Sequence, residues 1–294
     1  MHEGRPRSRT EPDITLRGAR CGVLLQGKRA LIMGVANKRS IAWGIAQAFH
    51  REGASLAFTY QNDRLKENLV ELLGEIGGAG AYPLFPCDVA SDEQIDAVFA
   101  GLNERWGALD ALVHCLAFAD REDLARPFSE ISRKGYALAL DVSAYSLMHC
   151  AGAARPLLEA AGGGSIFTLT YNAVDRVVPS YNVMAVAKAA LECEVRYLAA
   201  ELGPKNIRVN AISAGPLRTL AASAVRGLSG FRDAVEELAP LRRNITQEEV
   251  GDVAVFLASN LSRSVTGNTI FADSGFHIMS GAGLAEVAKK GGGG

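Results

Sequence analysis

The sequence predicts an α/β fold: a single doubly wound domain built on a seven-stranded parallel sheet. From Arg29 onward, short apolar runs alternate with segments of helical periodicity, which is typical of parallel strands joined by crossover helices. A glycine and a helix-capping serine follow the first apolar run. No internal repeat or linker-like stretch interrupts residues 27–280. Because ligands of such folds bind at the carboxyl ends of the strands, we expect the functional site there.

Seven apolar runs are predicted as strands, and capping signals mark the helices between them. Ser40 is expected to cap a helix that ends near Gly53, and Thr246 with Glu249 is expected to form a capping box. The predicted strands are residues 30–33, 55–60, 81–86, 111–114, 165–170, 208–212 and 269–271.

Composition and charge narrow the class of protein. The 294 residues are 48% hydrophobic and 21% charged, with a formal net charge of -1. Such a chain has material for a sizeable core, but no basic field for nucleic acid or an anionic membrane. No apolar run approaches the ~20 residues of a membrane span, and no signal-peptide core is recognised. We therefore expect a cytoplasmic protein.

Cysteine and histidine are dispersed along the chain. The five cysteines are never spaced as CxxC, and the five histidines offer no ligand pair at helical spacing. This favours reduced thiols and indicates neither a disulfide framework nor a metal site. Residues 1–26 are expected to be a disordered extension, and residues 281–294 a flexible tail.

The segment after the first strand resembles a phosphate-binding turn. Gly34 ends the strand, and Ser40 begins a helix whose free N–H groups and positive dipole end suit a pyrophosphate. The GxGxxG spacing is absent, however. Gly34 and Gly44 could equally serve only the turn and the packing of the helix.

The ends of the second and third strands carry candidate adenosine contacts. Gln61 can hydrogen-bond a ribose 2′-hydroxyl but supplies no charge for a 2′-phosphate, so NADH is favoured. Arg64 and Lys66 keep NADPH open as an alternative. Asp88 and Val89 could contact the adenine, and a turn or cap role is the alternative for Asp88.

Tyr181 and Lys188 are candidate catalytic residues beyond the fifth strand. One helix is predicted from Tyr181 onward, which would place both side chains on one face, ~10 Å apart along the axis. A nearby ammonium would favour the anion of a phenol whose ordinary pKa is ~10, and could also donate to both hydroxyls of a ribose. The alternative is a packed tyrosine and a solvated lysine, but their position at the end of a central strand favours function.

Six separated blocks carry a family resemblance: residues 27–37, 40–44, 59–63, 113–119, 181–184 and 213–223. Together they resemble the enoyl-acyl-carrier-protein reductases of the short-chain dehydrogenase/reductase superfamily, over about residues 27–277. The resemblance implies a dinucleotide-binding Rossmann catalytic domain over 27–280. It further implies an NADH-dependent oxidoreductase that reduces the carbon–carbon double bond of a trans-2-enoyl thioester on acyl carrier protein in fatty-acid elongation, and it implies a homotetramer.

The resemblance assigns roles position by position. Tyr181 matches the residue that contacts the substrate carbonyl, Lys188 the ribose-binding lysine, and Tyr171 a second active-site tyrosine. Ala119 matches a substrate contact, and Phe231 is a candidate acyl contact. The positions that match the NADH site are Gly34, Ser40, Ile41, Gln61, Asp88, Val89, Leu116, Lys188, Leu217, Thr219 and Ala221.

The expected chemistry is hydride transfer from NADH to the β-carbon while Tyr181 hydrogen-bonds the thioester oxygen and stabilises the enolate. A 3-oxoacyl thioester ketoreductase is one alternative, although ketoreductases place lysine four residues after the catalytic tyrosine and no tyrosine here has one. A non-catalytic nucleotide-sensing protein is another. Arg218 and Arg226 are candidate contacts for an acidic carrier protein, with solvated surface arginines as the alternative.

Two stretches depart from the family pattern. Residues 172–175 read Asn-Ala-Val-Asp, where the family often has a bulky residue followed by Gly-Ala-Glu. The stretch between Ser223 and Phe231, which resembles the substrate lid, carries a few extra residues. The first departure is expected to affect the geometry of Tyr171, the second active-site tyrosine. The second is expected to affect the preference for acyl-chain length.

Overall fold

The computed structural model describes residues 23–78, 80–217 and 228–279, and gives only the backbone of 228–231. Its centre is a parallel sheet of seven strands in the order β3-β2-β1-β4-β5-β6-β7, which confirms the predicted fold class. The strands are β1 (Arg29–Met33), β2 (Ser55–Tyr60), β3 (Leu84–Pro86), β4 (Ala111–His114), β5 (Gly164–Thr170), β6 (Ile207–Ala214) and β7 (Thr269–Ala272).

Helices connect the strands and cover both faces of the sheet. A π-helical turn, Asp141–Tyr145, links the helix that ends at Leu140 directly to the helix that begins at Ser146. The helices are α1 (Ile41–Arg51), α2 (Asp63–Leu73), α3 (Asp92–Trp106), α4 (Arg121–Ala125), α5 (Arg133–Leu140), α6 (Ser146–Ala160), α7 (Val183–Leu202), α8 (Leu228–Leu238) and α9 (Gln247–Ala258).

The strands bury side chains on both faces. Along β1, Ala30 and Ile32 pack in the core under α1 and α9, whereas Leu31 and Met33 pack in the core under α3, α6 and α7. All four side chains are at most 1% exposed. This alternation between two cores explains why the strands read as continuous apolar runs.

The predicted bounds of β1, β5, β6 and β7 are off by one or two residues, and larger differences lie at the third strand and at the N-terminal side. The third strand was expected from residue 81 but begins at Leu84, because Tyr82 turns away from the strand. Its ring packs edge-on against Phe58 and its hydroxyl donates to Ile76 O at 3.3 Å. At the N-terminal side, Leu25 is fully buried and its N–H donates to Glu52 O. Packed structure therefore includes residues before Gly27.

The contact between α1 and α9 is made by glycine. A Cβ on Gly44 would lie 2.7 Å from Gln247 O, and one on Gly251 would lie 2.8 Å from Ala48 Cβ. The start of α9 is fixed by the predicted capping box, in which Thr246 and Glu249 exchange bonds of 2.8 and 3.2 Å. The close approach holds the first turn of α1 at the carboxyl edge of the sheet.

Within the described ranges, no helix is long and apolar enough to cross a membrane.

The glycine contact makes a prediction about stability. Gly44→Ala should lower the free energy of unfolding by about 1–3 kcal/mol, because the added methyl group meets the backbone of Gln247. Gly152→Ala is the matched control, since nothing lies within 4 Å of its Cβ position in α6. That variant should gain about 0.5–1 kcal/mol from helix propensity. Urea unfolding measures both, and equal effects of the two substitutions would contradict the close packing.

Candidate active site

The candidate residues gather at the carboxyl ends of neighbouring strands. Gly34 follows β1, Gln61 follows β2, Leu116 follows β4, Tyr171 follows β5 and Leu217 follows β6. Between β1 and β4 the strand order reverses its direction along the sheet. In doubly wound folds the crevice outside this reversal holds the ligand. These residues therefore follow the carboxyl ends of the strands, which is where the site was predicted.

Gly34 packs the end of β1 against the residue that follows β4. It has a φ of +95°, and a Cβ there would lie 2.1 Å from Cys115 O and 3.3 Å from Leu116 Cδ2. A side chain at this position would collide with the backbone, so only glycine fits. The glycine thus serves the turn and also brings the backbone to the floor of the crevice.

Ser40 occupies the N-cap position of α1, but its side chain does not cap the helix. The hydroxyl instead accepts the N–H groups of Ala36 and Asn37, at 3.1 and 3.0 Å, and closes the loop on itself. The predicted side-chain cap is therefore wrong. Ser40 O accepts the N–H groups of Trp43 and Gly44, so the N–H groups of Ile41 and Ala42 are the ones at the start of α1 that a pyrophosphate could use.

The two candidate adenosine contacts lie next to each other. The Gln61 amide donates to Asp88 Oδ2 at 3.2 Å, and the other carboxylate oxygen of Asp88 accepts the Ala90 N–H at 3.1 Å. Asp88 therefore stabilises a turn, the role that was the alternative to an adenine contact. The side chain of Val89 is 7% exposed. Lys66 is one of the two residues that left NADPH as an alternative cofactor. Its Nζ lies 5.4 Å from the centroid of the Tyr60 ring.

Tyr171 and Tyr181 form a pair, with ring centroids 5.0 Å apart and planes at 45°. The hydroxyl of Tyr171 is buried and finds no hydrogen-bond partner among the described residues. Burial raises the pKa of both phenols above the ordinary range for tyrosine. Both are therefore neutral hydrogen-bond donors at physiological pH, and one of them has its donor capacity unused.

Tyr181 is not on the helix that carries Lys188. Helix α7 begins at Val183, and two successive turns precede it. Ser180 and Asn182 have positive φ angles of 65° and 43°, so helical geometry cannot extend through Tyr181. The predicted shared helix is wrong, because good helix formers after Tyr181 do not decide where the helix starts.

Lys188 is buried, with 4% of its surface exposed. Its ammonium donates to Leu169 O at 2.7 Å, and burial lowers its pKa to about 8. The alternative of a solvated lysine is therefore wrong. The expectation that Lys188 lowers the pKa of Tyr181 is also wrong, since burial raises that pKa.

The buried neighbours of the Lys188 charge stay neutral. His114 bridges Thr168 and Ser146 at 3.0 and 2.9 Å, and burial lowers the pKa of its ring to about 3. Burial raises the pKa of the Cys115 thiol to about 12. The acidic group that interacts with the ammonium is Glu192, whose carboxyl group accepts the Thr170 hydroxyl at 2.7 Å.

The π-helical turn supports the segment that contains Ala119. Ser143, in that turn, is fully buried. Its hydroxyl accepts the Phe118 N–H at 2.9 Å and lies 3.1 Å from Phe118 O, to which it can donate. Ala119 is half-buried at the carboxyl end of β4. A π turn is often found at functional sites, and here it fixes a predicted substrate contact.

Several expected residues lie outside the described part of the chain. Leu217 is described and packs against the core under α1 and α9. The backbone of Phe231 belongs to α8, but its side chain is not described. The residues that cannot be placed are Thr219, Ala221, Arg218, Arg226 and the inserted stretch after Ser223 as far as residue 227. Among the described residues, no group of three or more His, Cys, Asp or Glu could hold a metal ion.

Two residues of the site had no predicted role, Ser143 and Asn182. Asn182 lies between Tyr181 and α7, and its amide donates to Leu124 O and Arg126 O. A turn at Asn182 could have been predicted from neighbouring residues, since asparagine tolerates a positive φ and here follows Pro-Ser-Tyr, a turn-forming sequence. Ser143 offered no such signal, because its contacts are with a distant segment.

The strand order, the glycine turn, the tyrosine pair after β5 and the buried lysine of α7 together define a short-chain dehydrogenase/reductase. The model of the family described as enoyl-(acyl carrier protein) reductase matches residues 34–277. The chain belongs to this family.

Relatives and solved structures agree with that assignment. The enoyl-acyl-carrier-protein reductase (NADH) FabI of Nostoc sp. is 53% identical over 259 residues, covering 87% of this chain and 98% of that protein. The enzyme of the same name from Bacillus cereus is 52% identical over 256 residues, covering 87% and 99%.

The structural neighbours carry nucleotides. A Bacillus cereus enoyl-acyl carrier protein reductase with NADP+ and indole naphthyridinone superposes with a TM-score of 0.85 at 51% identity, covering 87% of this chain and 99% of that one. An Anaplasma phagocytophilum reductase in complex with NAD gives 0.83 at 43% identity, covering 88% and 97%.

The buried ammonium predicts a pH dependence of cofactor binding. Because the pKa of Lys188 is lowered to about 8, the lysine is charged below that pH and loses its proton above it. If the charge holds a ribose, NADH affinity should be constant at lower pH and fall roughly tenfold per unit above about pH 8. Fluorescence titration of NADH across this range measures it. Lys188→Met should bind weakly with no such slope, and the same slope in both proteins would exclude Lys188 as its source.

Proposed function

We propose that the protein reduces the carbon–carbon double bond of trans-2-enoyl-acyl carrier protein to the saturated acyl thioester, using NADH, in fatty-acid elongation. The observation that carries the proposal is the Tyr171–Tyr181 pair, which presents a buried and unpartnered hydroxyl beside the ends of the central strands. Membership of the enoyl-(acyl carrier protein) reductase family supports the substrate class.

Described residues that would hold NADH follow strands β1, β2, β3, β4 and β6. Gly34 lets the nucleotide approach the backbone, and the loop closed by Ser40 leaves the first turn of α1 from Ile41 for the pyrophosphate. Gln61 and Asp88 would contact the adenosine. The other positions with this proposed role are Val89, Leu116, Leu217, Thr219 and Ala221. Bound NADH supplies the hydride that the β-carbon of the substrate receives.

Lys188 would hold the nicotinamide ribose. Its bond to Leu169 O uses one of three ammonium protons and fixes the direction of the other two. Burial makes those protons strong donors, since no water competes for them. The lysine is therefore proposed to orient the cofactor, and it does not need to ionise the tyrosine.

Tyr181 would stabilise the oxygen of the substrate thioester. As electrons move from the double bond, negative charge develops on that oxygen, and a neutral phenol can donate a hydrogen bond to it. The raised pKa keeps the proton on Tyr181 across the physiological range. Tyr171, 5.0 Å away between ring centroids, would support the same oxygen or the substrate path. A proton from solvent, added at the α-carbon, would then convert the enolate into the saturated thioester.

The substrate would lie against the segment that contains Ala119. The main chain of this segment is fixed by Ser143 through Phe118. Phe231, at the start of α8, is the proposed contact for the acyl chain. Ala119 follows β4 in the chain, and Phe231 follows β6.

A comparison of two substrates tests the proposed reaction. NADH oxidation should occur with a crotonyl thioester and not with an acetoacetyl thioester. Tyr181→Phe should lower kcat by roughly a hundredfold to a thousandfold, as loss of an oxyanion donor does, and leave NADH affinity unchanged. Tyr197→Phe is the control, because Tyr197 is 76% exposed. Activity on the acetoacetyl substrate alone would show a ketoreductase, and NADH binding without turnover of either would show a nucleotide sensor.

We also propose that the catalytic domain, residues 27–280, acts as a homotetramer in the cytoplasm. Unpaired cysteines in the described residues support a reducing compartment. Helices α5 and α6 and the π turn expose large apolar side chains that a subunit interface would cover: Tyr136, Tyr145 and Met148.

Light scattering in solution tests the assembly. The expected mass is four times the 31.1 kDa of the chain. A replacement of Met148 by glutamate should lower that mass, because a charge would be buried in the interface. A wild-type mass of one chain would contradict the tetramer, and an unchanged mass in the variant would place the interface elsewhere.

A further inference from the structure

Tyr181 is shared by two tight turns. In the first, the Tyr181 N–H donates to Val178 O at 3.2 Å, and Ser180 has the positive φ that the third position of a type II turn requires. In the second, the Met184 N–H donates to Tyr181 O at 3.1 Å. Asn182 there has φ 43° and ψ −125°, which is the first central position of a type II′ turn.

Both positive-φ positions carry side chains where glycine is favoured. Backbone strain of this kind persists only when surrounding contacts hold it in place. Such contacts are found at Asn182. Its side-chain amide donates to Arg126 O at 2.8 Å and to Leu124 O at 3.0 Å, and it lies 3.4 Å from Asp123 O.

The three carbonyl groups belong to the segment that follows the proposed substrate contact, Ala119. Asp123, 4% exposed, accepts the N–H and the hydroxyl of Ser132, each at 2.8 Å. Ser143 holds the other end of the segment through Phe118. The segment is therefore fixed to α5 and to the π turn, and Asn182 joins it to the turn that presents Tyr181.

We propose that Asn182 is a positioning residue for enoyl reduction. Its carboxamide fixes the turn that carries Tyr181 to residues 118–126, and so sets the distance from the Tyr181 hydroxyl to an oxygen of a substrate lying against that segment. The inference rests on the proposed function, in which Tyr181 stabilises the thioester oxygen. Errors of about 1 Å in such a distance can cost a hundredfold in rate.

Three substitutions separate the side-chain bonds from the backbone strain. Asn182→Gly relieves the strain and removes the bonds, and Asn182→Ala removes the bonds and keeps the strain. Asn182→Asp keeps the shape but turns carboxylate oxygens toward carbonyl oxygens, which repel them. If the bonds position Tyr181, all three variants lose activity. If only strain mattered, the glycine variant would match or exceed the wild type.

Asn206 provides a matched control at the opposite end of the sheet. It also has a positive φ, 58°, and its amide also donates to a backbone carbonyl, Gly162 O, at 3.0 Å. It lies just before β6, at the amino ends of the strands. The same three substitutions at Asn206 test the general cost of losing such an asparagine, remote from Tyr181.

The experiment measures kcat, KM for crotonyl thioester, NADH affinity and thermal stability for both series, alone and combined with Tyr181→Phe. The Asn182 variants should lose at least about tenfold in kcat, with NADH affinity unchanged, and the Asn206 variants should keep kcat. In the Tyr181→Phe background, the Asn182 substitutions should add no further loss, because the residue acts through Tyr181.

Three results would overturn the proposal. They are an unchanged kcat in the Asn182 variants, a loss that multiplies with that of Tyr181→Phe, and equal losses in the Asn206 series. Wild-type turnover in Tyr181→Phe alone is a different failure, since it would remove the role of Tyr181 from the proposed function. The two failures are therefore distinguishable in one set of proteins.

Discussion

The burial of both faces of the parallel sheet is the constraint from which the rest of the structure follows. Because helices cover each face, the strands offer chemistry only where they end. The reversal of strand order between β1 and β4 then opens a crevice at one edge, and the Gly34 contact with Cys115 sets its floor. Residues distant in sequence meet there because each follows a strand of the same sheet.

Within that crevice, the buried charge of Lys188 has electrostatic consequences. Burying an ammonium is costly, and its bond to Leu169 O offsets only part of the lost hydration. Of the groups around it, His114 and Cys115 are neutral, and the carboxyl group of Glu192 compensates only in part, because it also accepts the Thr170 hydroxyl. A site that contains an incompletely compensated cation favours a ligand rich in hydroxyl oxygens and phosphate. Selectivity for a nucleotide thus arises in part from the Lys188 ammonium, whose charge and remaining hydrogen-bond donors the protein does not fully satisfy.

The fold was predictable from local signals, and the site was predictable only in part. Apolar runs and the capping box of Thr246 and Glu249 depend on residues close in sequence, so they could be predicted. The late start of β3 depends on the packing of Tyr82 against Phe58, which residue order does not show. The helix expected from Tyr181 failed for a similar reason. Propensity favours a helix there, but the contacts of Asn182 with a distant segment hold a turn between Tyr181 and Met184. Burial of Lys188 and the pKa of each tyrosine are likewise tertiary properties, invisible to residue spacing.

The cysteines give the molecule a chemical asymmetry. Thiols react with oxidants and alkylating agents as thiolates, and burial raises the pKa of Cys87 to about 11 and of Cys115 to about 12. At neutral pH these two sulfur atoms, which follow β3 and β4, are almost wholly protonated. Cys193 is exposed on α7. Of these three thiols, an electrophile would therefore meet that of Cys193 first, on the outer face of the helix, before either thiol at the strand ends.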